Sequence, residues 1–249
     1  MPNRHGTGAL KVRWSSSRHG ILDHARNHLM SEQPSELTHI YEHRFKKLEA
    51  YRNRVWQVLT GRFFSKWISP DHSVLDLGCG FGEFINNIKA QKRYGMDLNP
   101  ATAGKLAKDV RFIEQDCSEQ WDLPDQSLDI VFTSNFLEHL NDKDAVKRTL
   151  RQAGRCLRPG GLLIAMGPNI RYLPGIYWDF FDHHVILTEK SLAEALSISG
   201  FTVQSTIARF LPYTMVGDFR YPLFLLSLYL HLPFLWWIKG RQFLVVARR

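Results

Sequence analysis

The stretch VLDLGCGFG at residues 74–82 decides the fold. It joins a short apolar run to three glycines that alternate with other residues, Gly78, Gly80 and Gly82. A strand that leads directly into a glycine-rich turn is typical of the first unit of a doubly wound α/β sheet, where ligands bind at the carboxyl ends of the strands. Glycines at these positions indicate a tight turn or a ligand that lies against the backbone.

After Pro70 the chain repeats this alternation of short apolar runs and helical patterns. Helical stretches such as FINNIKAQ, ATAGKLAKD and DKDAVKRTLRQAGRCL separate the first runs. Strands that alternate with helices predict parallel strands joined by right-handed crossovers. The sequence therefore predicts a doubly wound α/β fold. Its strands are predicted at residues 73–78, 93–99, 110–116, 128–135, 161–169, 201–210 and 242–249.

The remaining segments predict three further parts of the molecule. Residues 1–35 are polar and basic without sustained periodicity, which favours a mobile arm. Residues 36–70 carry apolar and aromatic side chains at helical spacing, and we expect them to form a helical lid over the ligand cleft. Packing on the sheet is the alternative for this helix. Residues 71–249 form the predicted sheet domain, with an apolar insertion at 211–240.

Charge is concentrated in the first part of the chain. Residues 1–70 contain 12 Lys and Arg against 5 Asp and Glu, which gives +7 of the total net charge of +8. Such a segment suits anionic lipid, a phosphorylated substrate or nucleic acid, or is simply a solvated surface. The three cysteines lack the spacing of a disulfide framework or a zinc site, and the N-terminus lacks the apolar core of a signal peptide. We expect a cytoplasmic protein.

The glycine turn is unsuited to a phosphate. In a dinucleotide-binding turn the sixth position from Gly78 would be a third glycine, but here it is Glu83. An acidic side chain at the start of a helix repels pyrophosphate, and no GKS or GKT follows. The ligand is therefore predicted to be nucleoside-like and to carry no phosphate at this position.

Acidic residues stand in or directly after three successive predicted strands. Asp97 closes the second strand and can accept hydrogen bonds from both ribose hydroxyls. Asp116, followed by Cys117, closes the third strand and is placed to contact an adenine ring edge. Asp76 precedes the glycines and favours an ammonium group. An adenosine and an ammonium without phosphate describe S-adenosylmethionine.

The motifs VLDLGCGFG, YGMDLNP, EQDCSE, DIVFTSNFLEHL and LRPGGLLIAMGPN, over about residues 70–210, resemble the class I S-adenosylmethionine-dependent methyltransferase family. The resemblance implies a seven-stranded Rossmann-like sheet of order 3-2-1-4-5-7-6 in which only strand 7 is antiparallel. It also implies a cofactor site. Its residues would be Asp76, Gly78, Cys79, Gly80 and Gly82 at the methionine side, Asp97 and Leu98 at the ribose, Asp116 and Cys117 at the adenine, and Asn135 at the floor.

Methyl transfer from a sulfonium is a direct displacement, and an alcohol acceptor must also lose its proton. A histidine suits this general-base role. His139 follows the fourth strand, and His183 and His184 follow the fifth, so all three are candidates. The alternative is that they pack or cap helices. We expect no metal, because adjacent residues of a loop seldom ligate one ion together, and we expect Glu138 to bind a backbone or a neighbouring helix.

The acceptor is predicted from the residues around the ligand edge. Tyr41, Arg44 and Arg54 of the lid and the aromatic Tyr177 and Trp178 are candidate acceptor or cofactor contacts. Within the family the chain resembles bacterial enzymes that modify small molecules and glycans, which implies O-methylation of a small-molecule, glycan or lipid-linked acceptor. One alternative is an RNA or DNA base methyltransferase, although the fourth strand ends SNFL rather than in an NPPY-like turn. Another is a non-catalytic cofactor-binding or membrane-attached partner protein.

The segment RYPLFLLSLYLHLPFLWWIKG at residues 220–240 is apolar and nearly as long as a membrane span. Pro222, His231 and Pro233 weaken a spanning helix, and the last strand has to return to the same sheet. The segment is therefore predicted to be an insertion that packs on the domain or meets a membrane surface. Trp236 and Trp237 next to basic residues suit peripheral contact at the inner face of the membrane.

Overall fold

A computed structural model describes residues 49–213 and 221–249 of the chain. The predicted basic arm at 1–35 lies outside the described residues, as do Tyr41 and Arg44 of the predicted lid.

The sheet has seven strands in the order β3-β2-β1-β4-β5-β7-β6. Strand β7 runs antiparallel to both of its neighbours, whereas the pairs among β1 to β5 are parallel. The predicted fold class and strand order are confirmed. The strands are β1 Ser73–Leu77, β2 Lys92–Asp97, β3 Val110–Glu114, β4 Leu128–Ser134, β5 Leu157–Pro168, β6 Thr202–Ile207 and β7 Gln242–Arg248.

The α-helices in the described residues are α1 Glu49–Arg62, α2 Lys143–Cys156, α3 Glu189–Ile198, α4 Leu223–Leu230 and α5 Pro233–Lys239. The helical patterns after β1 and β2 form only short 3₁₀ helices, Ile85–Asn87 and Pro100–Lys105. Asparagine side chains explain the difference, because Asn86 and Asn87 donate to backbone carbonyls and the Asn99 side chain accepts from the Ala101 N–H. Such bonds offer the backbone an alternative to a longer α-helix.

Helix α1 and the turn after it pack on one face of the sheet. The ring of Trp56 meets Phe84 and Phe132 edge-on at centroid distances of 6.0 and 5.9 Å, and Phe64 is fully buried. Phe84 and Phe132 stack on each other at 3.6 Å. Burial of each large aromatic side chain contributes about 1.5–3 kcal/mol. The described part of the predicted lid is therefore also a layer of the core.

The insertion between β6 and β7 forms the helical pair α4 and α5, which bends at residues 231–232. Its inner side packs on the domain: Leu230 is buried, and Trp236 meets Phe63 and Phe210 edge-on at 5.8 and 5.2 Å. Its outer side exposes a set of large apolar residues. These are Phe224, Leu225, Leu228, Phe234, Trp237 and Ile238. Among the described residues, no helix combines the length and apolar character that a membrane crossing requires.

Candidate active site

The glycine loop after β1 has a left-handed backbone at three positions, with φ of 70° at Gly78, 52° at Gly80 and 73° at Gly82. Side chains other than glycine rarely adopt this conformation. Neighbouring side chains add a second constraint. A Cβ atom at Gly78 would lie 2.1 Å from Cγ of Phe136, and one at Gly82 would lie 2.5 Å from a methyl carbon of Leu106. The chain's own packing therefore requires two of these glycines without any ligand.

Asp97 joins the end of β2 to the glycine loop. Its carboxylate accepts the backbone N–H of Gly80 at 2.9 Å and that of Asn99 at 2.9 Å. The carboxylate is buried, whereas the following Leu98 is partly exposed. The Asp97 carboxylate is therefore a hydrogen-bond acceptor with a fixed position at the carboxyl edge of the sheet, and the apolar side chain of Leu98 follows it.

Two more buried carboxylates, Asp76 and Glu83, lie close to Asp97. Burial, together with the charges of Glu83 and Asp97, raises the pKa of Asp76 well above its usual range. Glu83 pairs with Arg52 of α1 at 3.0 Å, whereas the predicted contact residue Arg54 is exposed. A nearby positive charge would favour the ionised form of these carboxyl groups and a phosphate would disfavour it, so the group suits a cation.

The two predicted cysteine contacts place their thiol groups in the core. The Cys117 sulfur lies 3.4 Å from the hydroxyl oxygen of Thr149, and Cys79 packs against Gly95. Both side chains are buried. The neighbouring Asp116 is partly exposed and accepts the backbone N–H of Ser118 at 2.8 Å. Contact between either cysteine and a nucleoside would therefore come from its backbone and not from its thiol.

Asn135 begins the turn that follows β4. Its backbone is left-handed with a φ of 50°, and its N–H donates to the Met166 carbonyl at 2.9 Å. The side-chain nitrogen donates to the Ser134 hydroxyl at 3.0 Å, but the side-chain oxygen is buried and has no hydrogen-bond partner in the described part of the chain. An unsatisfied buried acceptor is costly, so this oxygen is suited to receive a ligand's donor.

The same turn contributes Glu138 and His139 to a polar cluster that His183 completes. One oxygen or nitrogen atom from each of the three side chains lies within 4.8 Å of the others. The two segments are tied together because the Glu138 carbonyl accepts the backbone N–H groups of His184 and Val185 at 2.9 and 3.0 Å. We call Glu138, His139 and His183 the β4-end cluster.

Both imidazoles of the β4-end cluster are oriented through Nδ1. His139 Nδ1 lies 3.0 Å from the Asp182 carbonyl oxygen and 3.2 Å from its carboxylate, and His183 Nδ1 lies 2.8 Å from the Tyr177 carbonyl oxygen. A carbonyl only accepts, so Nδ1 carries the proton and Nε2 carries the lone pair in the neutral ring. The ring centroids are 4.9 Å apart.

The electrostatics of the cluster follow from burial. Glu138 is only 2% exposed, and burial raises the pKa of its carboxyl to about 7. Burial by itself lowers the pKa of His139, but Asp182 and Glu138 outweigh it, so the pKa lies above the ordinary value. The cluster thus brings together a carboxyl group and an imidazole whose pKa values are both raised by their surroundings.

The other predicted residues of this region separate by exposure. Tyr177 is fully buried, and its hydroxyl donates to the Val185 carbonyl. Its ring centroid lies 4.6 Å from that of His183. Tyr177 therefore supports His183 and offers no surface to an acceptor. His184 is exposed, as is Trp178 at 54%. Sequence reasoning named Glu138 only as a packing residue and missed Arg52. Neither the fold of the 177–185 loop nor the side of α1 that faces the sheet can be predicted from local spacing.

Comparisons with known proteins identify the family of this chain. The family model described as methyltransferase domain matches residues 42–206, which is more than half of the chain. A relative from Mycolicibacterium smegmatis, named as a probable S-adenosylmethionine-dependent methyltransferase, is 31% identical over 146 residues, which are 55% of this chain and 54% of the relative. Another with that description, from Mycobacterium tuberculosis, is 30% identical over 51% of this chain and 47% of its own. The chain spans about half the length of these curated relatives.

Solved structures share the fold at low sequence identity. A methyltransferase from Archaeoglobus fulgidus that depends on S-adenosylmethionine superposes with a TM-score of 0.60 at 19% identity, over 85% of this chain and 99% of that one. The N-methyltransferase NodS from Bradyrhizobium japonicum, in complex with S-adenosyl-L-homocysteine, gives 0.54 at 14% identity, over 80% and 86%. The chain belongs to the methyltransferase-domain family and has the class I fold, as the sequence predicted.

The methyl donor of this family is S-adenosylmethionine, and the described residues fit it. The buried carboxylates near the glycine loop match the positive charges of its ammonium and sulfonium groups. The fixed Asp97 carboxylate matches the two hydroxyls of its ribose. The unsatisfied oxygen of Asn135 supplies a further acceptor at the same edge of the sheet.

Asp97→Asn should weaken the binding of S-adenosylhomocysteine by at least ~10-fold in calorimetric titration. The amide retains the shape but loses the charge, and hydrogen bonds to charged groups contribute about 1.5–3 kcal/mol. Glu114→Gln is the matched control, because Glu114 ends β3 with an exposed side chain. Equal affinities of Asp97→Asn and the parent protein would contradict the assignment.

Proposed function

We propose that this protein transfers the methyl group of S-adenosylmethionine to a hydroxyl oxygen of its acceptor. The observation that carries the proposal is the β4-end cluster, a carboxyl group and two imidazoles at the carboxyl edge of the sheet. Phe136 connects the cluster to the cofactor loop, because it directly precedes the turn with Glu138 and its ring lies against Gly78.

The cofactor supplies a methyl group that is already activated for direct displacement. The task of the chain is then to align an acceptor oxygen with that methyl and to receive the hydroxyl proton, and alignment alone accounts for several powers of ten in rate. We propose that Asp97 and Leu98 hold the ribose, that Asp116 and the Cys117 backbone hold the adenine, and that Asp76 faces the ammonium group.

The cluster favours a hydroxyl acceptor over an amine. A neutral amine is a strong nucleophile before it loses a proton, whereas a hydroxyl group becomes one only as its proton is removed. The site contains groups that can assist that removal. We expect His139 to contribute most, because Asp182 fixes its ring from both the carbonyl and the carboxylate. His183 is buried, and His184 is exposed.

We further propose that the acceptor is a glycan or small molecule carried on a lipid and presented at the inner face of a membrane. The outer sides of α4 and α5 support this, because Phe224, Phe234 and Trp237 are more than half exposed. Arg209 lies 5.8 Å from the Trp237 ring, and Lys239 ends α5. Aromatic side chains beside basic ones suit the interface of an anionic membrane.

His139→Ala should lower methyl transfer by about 10²–10⁴-fold, the range typical for loss of a proton-transfer group, while the affinity for S-adenosylhomocysteine stays close to that of the parent protein. His184→Ala is the matched control and should remain near parent activity. The assay is transfer of labelled methyl from the cofactor to fractionated lipid, glycan, RNA and small-molecule extracts, followed by chemical identification of the labelled bond. A label found on a base nitrogen of RNA would reject the hydroxyl proposal.

Phe234→Ser with Trp237→Ser should release the protein from anionic vesicles at low salt, as measured by co-sedimentation. Both side chains are exposed, so the fold should tolerate the change. Trp236 is unsuitable for this test because it packs on Phe63 and Phe210. If the parent protein fails to sediment with vesicles, the membrane part of the proposal is wrong and a soluble acceptor replaces it.

A further inference from the structure

We infer that Glu138, His139 and His183 bind a divalent metal ion of the zinc or manganese type, which in turn holds the acceptor oxygen. The proposed role of the ion rests on the proposed function, since it presupposes a hydroxyl acceptor. With the ion bound, His139 would assist removal of the hydroxyl proton as a ligand of the ion and not as the base itself. The binding of the ion does not depend on it.

The first support is the convergence of the three donors. Glu138 and His139 come from the turn after β4, and His183 comes from the loop after β5, yet their ligand atoms lie within 4.8 Å of one another. The backbone bonds from His184 and Val185 to the Glu138 carbonyl hold these two segments together. A small adjustment of side-chain torsions is enough to bring such atoms to the ~2.0–2.2 Å that nitrogen and oxygen ligands adopt around zinc.

The orientation of the two imidazoles is the second support. Metal-binding histidines nearly always donate their other ring N–H to a backbone carbonyl or a carboxylate, which fixes the tautomer and the ring plane. Here the Nδ1 of His183 is fixed by the Tyr177 carbonyl, and that of His139 by Asp182. Nε2 of each ring is then the atom with the lone pair, which is the form that binds a metal.

Burial supplies the third support. Glu138 is almost fully buried, and Asp182 places a second carboxylate 3.2 Å from His139 Nδ1. A buried carboxylate without a compensating cation costs several kcal/mol, so such groups are normally paired or coordinate a metal. A bound divalent ion would supply this compensation at the position where the three side chains meet.

The donor set favours particular ions. Two imidazole nitrogens and one carboxylate oxygen form the ligand set of catalytic zinc sites, which keep a further position open for water or substrate. Mg²⁺ and Ca²⁺ prefer all-oxygen surroundings. The sequence suggested no metal because His183 and His184 are adjacent. The structure separates them, since His183 is buried in the cluster and His184 is exposed.

The open position of such an ion is suited to the acceptor hydroxyl. A bound divalent ion lowers the pKa of an oxygen ligand by several units, so the hydroxyl can release its proton to water near neutral pH. The acceptor oxygen then bonds to the methyl carbon, the carbon–sulfur bond breaks with its electron pair remaining on sulfur, and the products are a methyl ether, a thioether and one proton. No oxidant or reductant is consumed.

The test is calorimetric titration of the chelator-treated 249-residue chain with Zn²⁺ and Mn²⁺, with Mg²⁺ for comparison. Glu138→Gln and His183→Ala should each lower the metal affinity of one site by more than ~10–100-fold. That range is the loss expected when a residue that only hydrogen-bonds to a metal ligand is removed. His184→Ala is the matched control and should bind like the parent. Every variant contains the same 249 residues apart from its substitution, so the six histidines in residues 1–48 contribute equally to all titrations.

Two further measurements keep the result interpretable. The affinity for S-adenosylhomocysteine should be retained in each variant, which shows that it is folded. Co²⁺ added to the parent protein should give visible absorption typical of four or five nitrogen and oxygen ligands, and Glu138→Gln should abolish it. Identical metal affinities of the parent and both variants, or no Co²⁺ spectrum in the parent, would overturn the inference.

The same proteins separate this inference from the proposed function. Full hydroxyl methylation by metal-free protein would refute the ion and leave the proposed function standing. The opposite result is also possible. If Glu138→Gln loses the metal site and the parent protein methylates only nitrogen, the proposed function is refuted and the metal site stands.

Discussion

Asp76, Glu83 and Asp97 are buried carboxylates gathered at one backbone loop, and the candidate site depends on this concentration of negative charge. Keeping all three groups ionised is costly, as the raised pKa of Asp76 indicates. Arg52 relieves part of it by pairing with Glu83, and the Gly80 and Asn99 N–H groups stabilise Asp97. A ligand that brings positive charge relieves the rest, whereas a phosphate would add to it.

The end of β4 couples this loop to the place where an acceptor would react. Phe136 lies so close to Gly78 that no side chain fits there, and the next turn places Glu138 and His139 beside His183. The cofactor loop and the β4-end cluster therefore belong to one packed unit. A displacement needs such rigidity, because a small misplacement of the reacting atoms lowers the rate steeply.

Much of the fold could be predicted from the sequence because its signals are local. The alternation of apolar runs predicted all seven strands, and the family resemblance supplied the correct order and the antiparallel β7. The positions of Asp76, Asp97 and Asn135 at the carboxyl edge follow from the rule that parallel strands end together. The short 3₁₀ helices after β1 and β2 were not predicted, because asparagine side chains that bind the backbone override the apolar spacing.

The site was less predictable because its decisive contacts are long-range. The glycine pattern indicated either a tight turn or a ligand at Gly78 and Gly82, but the atoms that exclude a side chain there belong to Phe136 and Leu106. Local spacing also could not show that the 177–185 loop folds back onto the β4 turn, which brings His183 to Glu138 and leaves His184 outside.

The most direct test of the central claim compares ligands of opposite charge on the parent protein. Calorimetric titrations with S-adenosylmethionine, S-adenosylhomocysteine, ADP and NAD would measure whether the loop selects a nucleoside that carries an ammonium group and no phosphate. The account predicts micromolar binding of the first two and at least ~100-fold weaker binding of ADP and NAD, since phosphate would face buried carboxylates. Binding of ADP or NAD as tight as that of S-adenosylmethionine would contradict it.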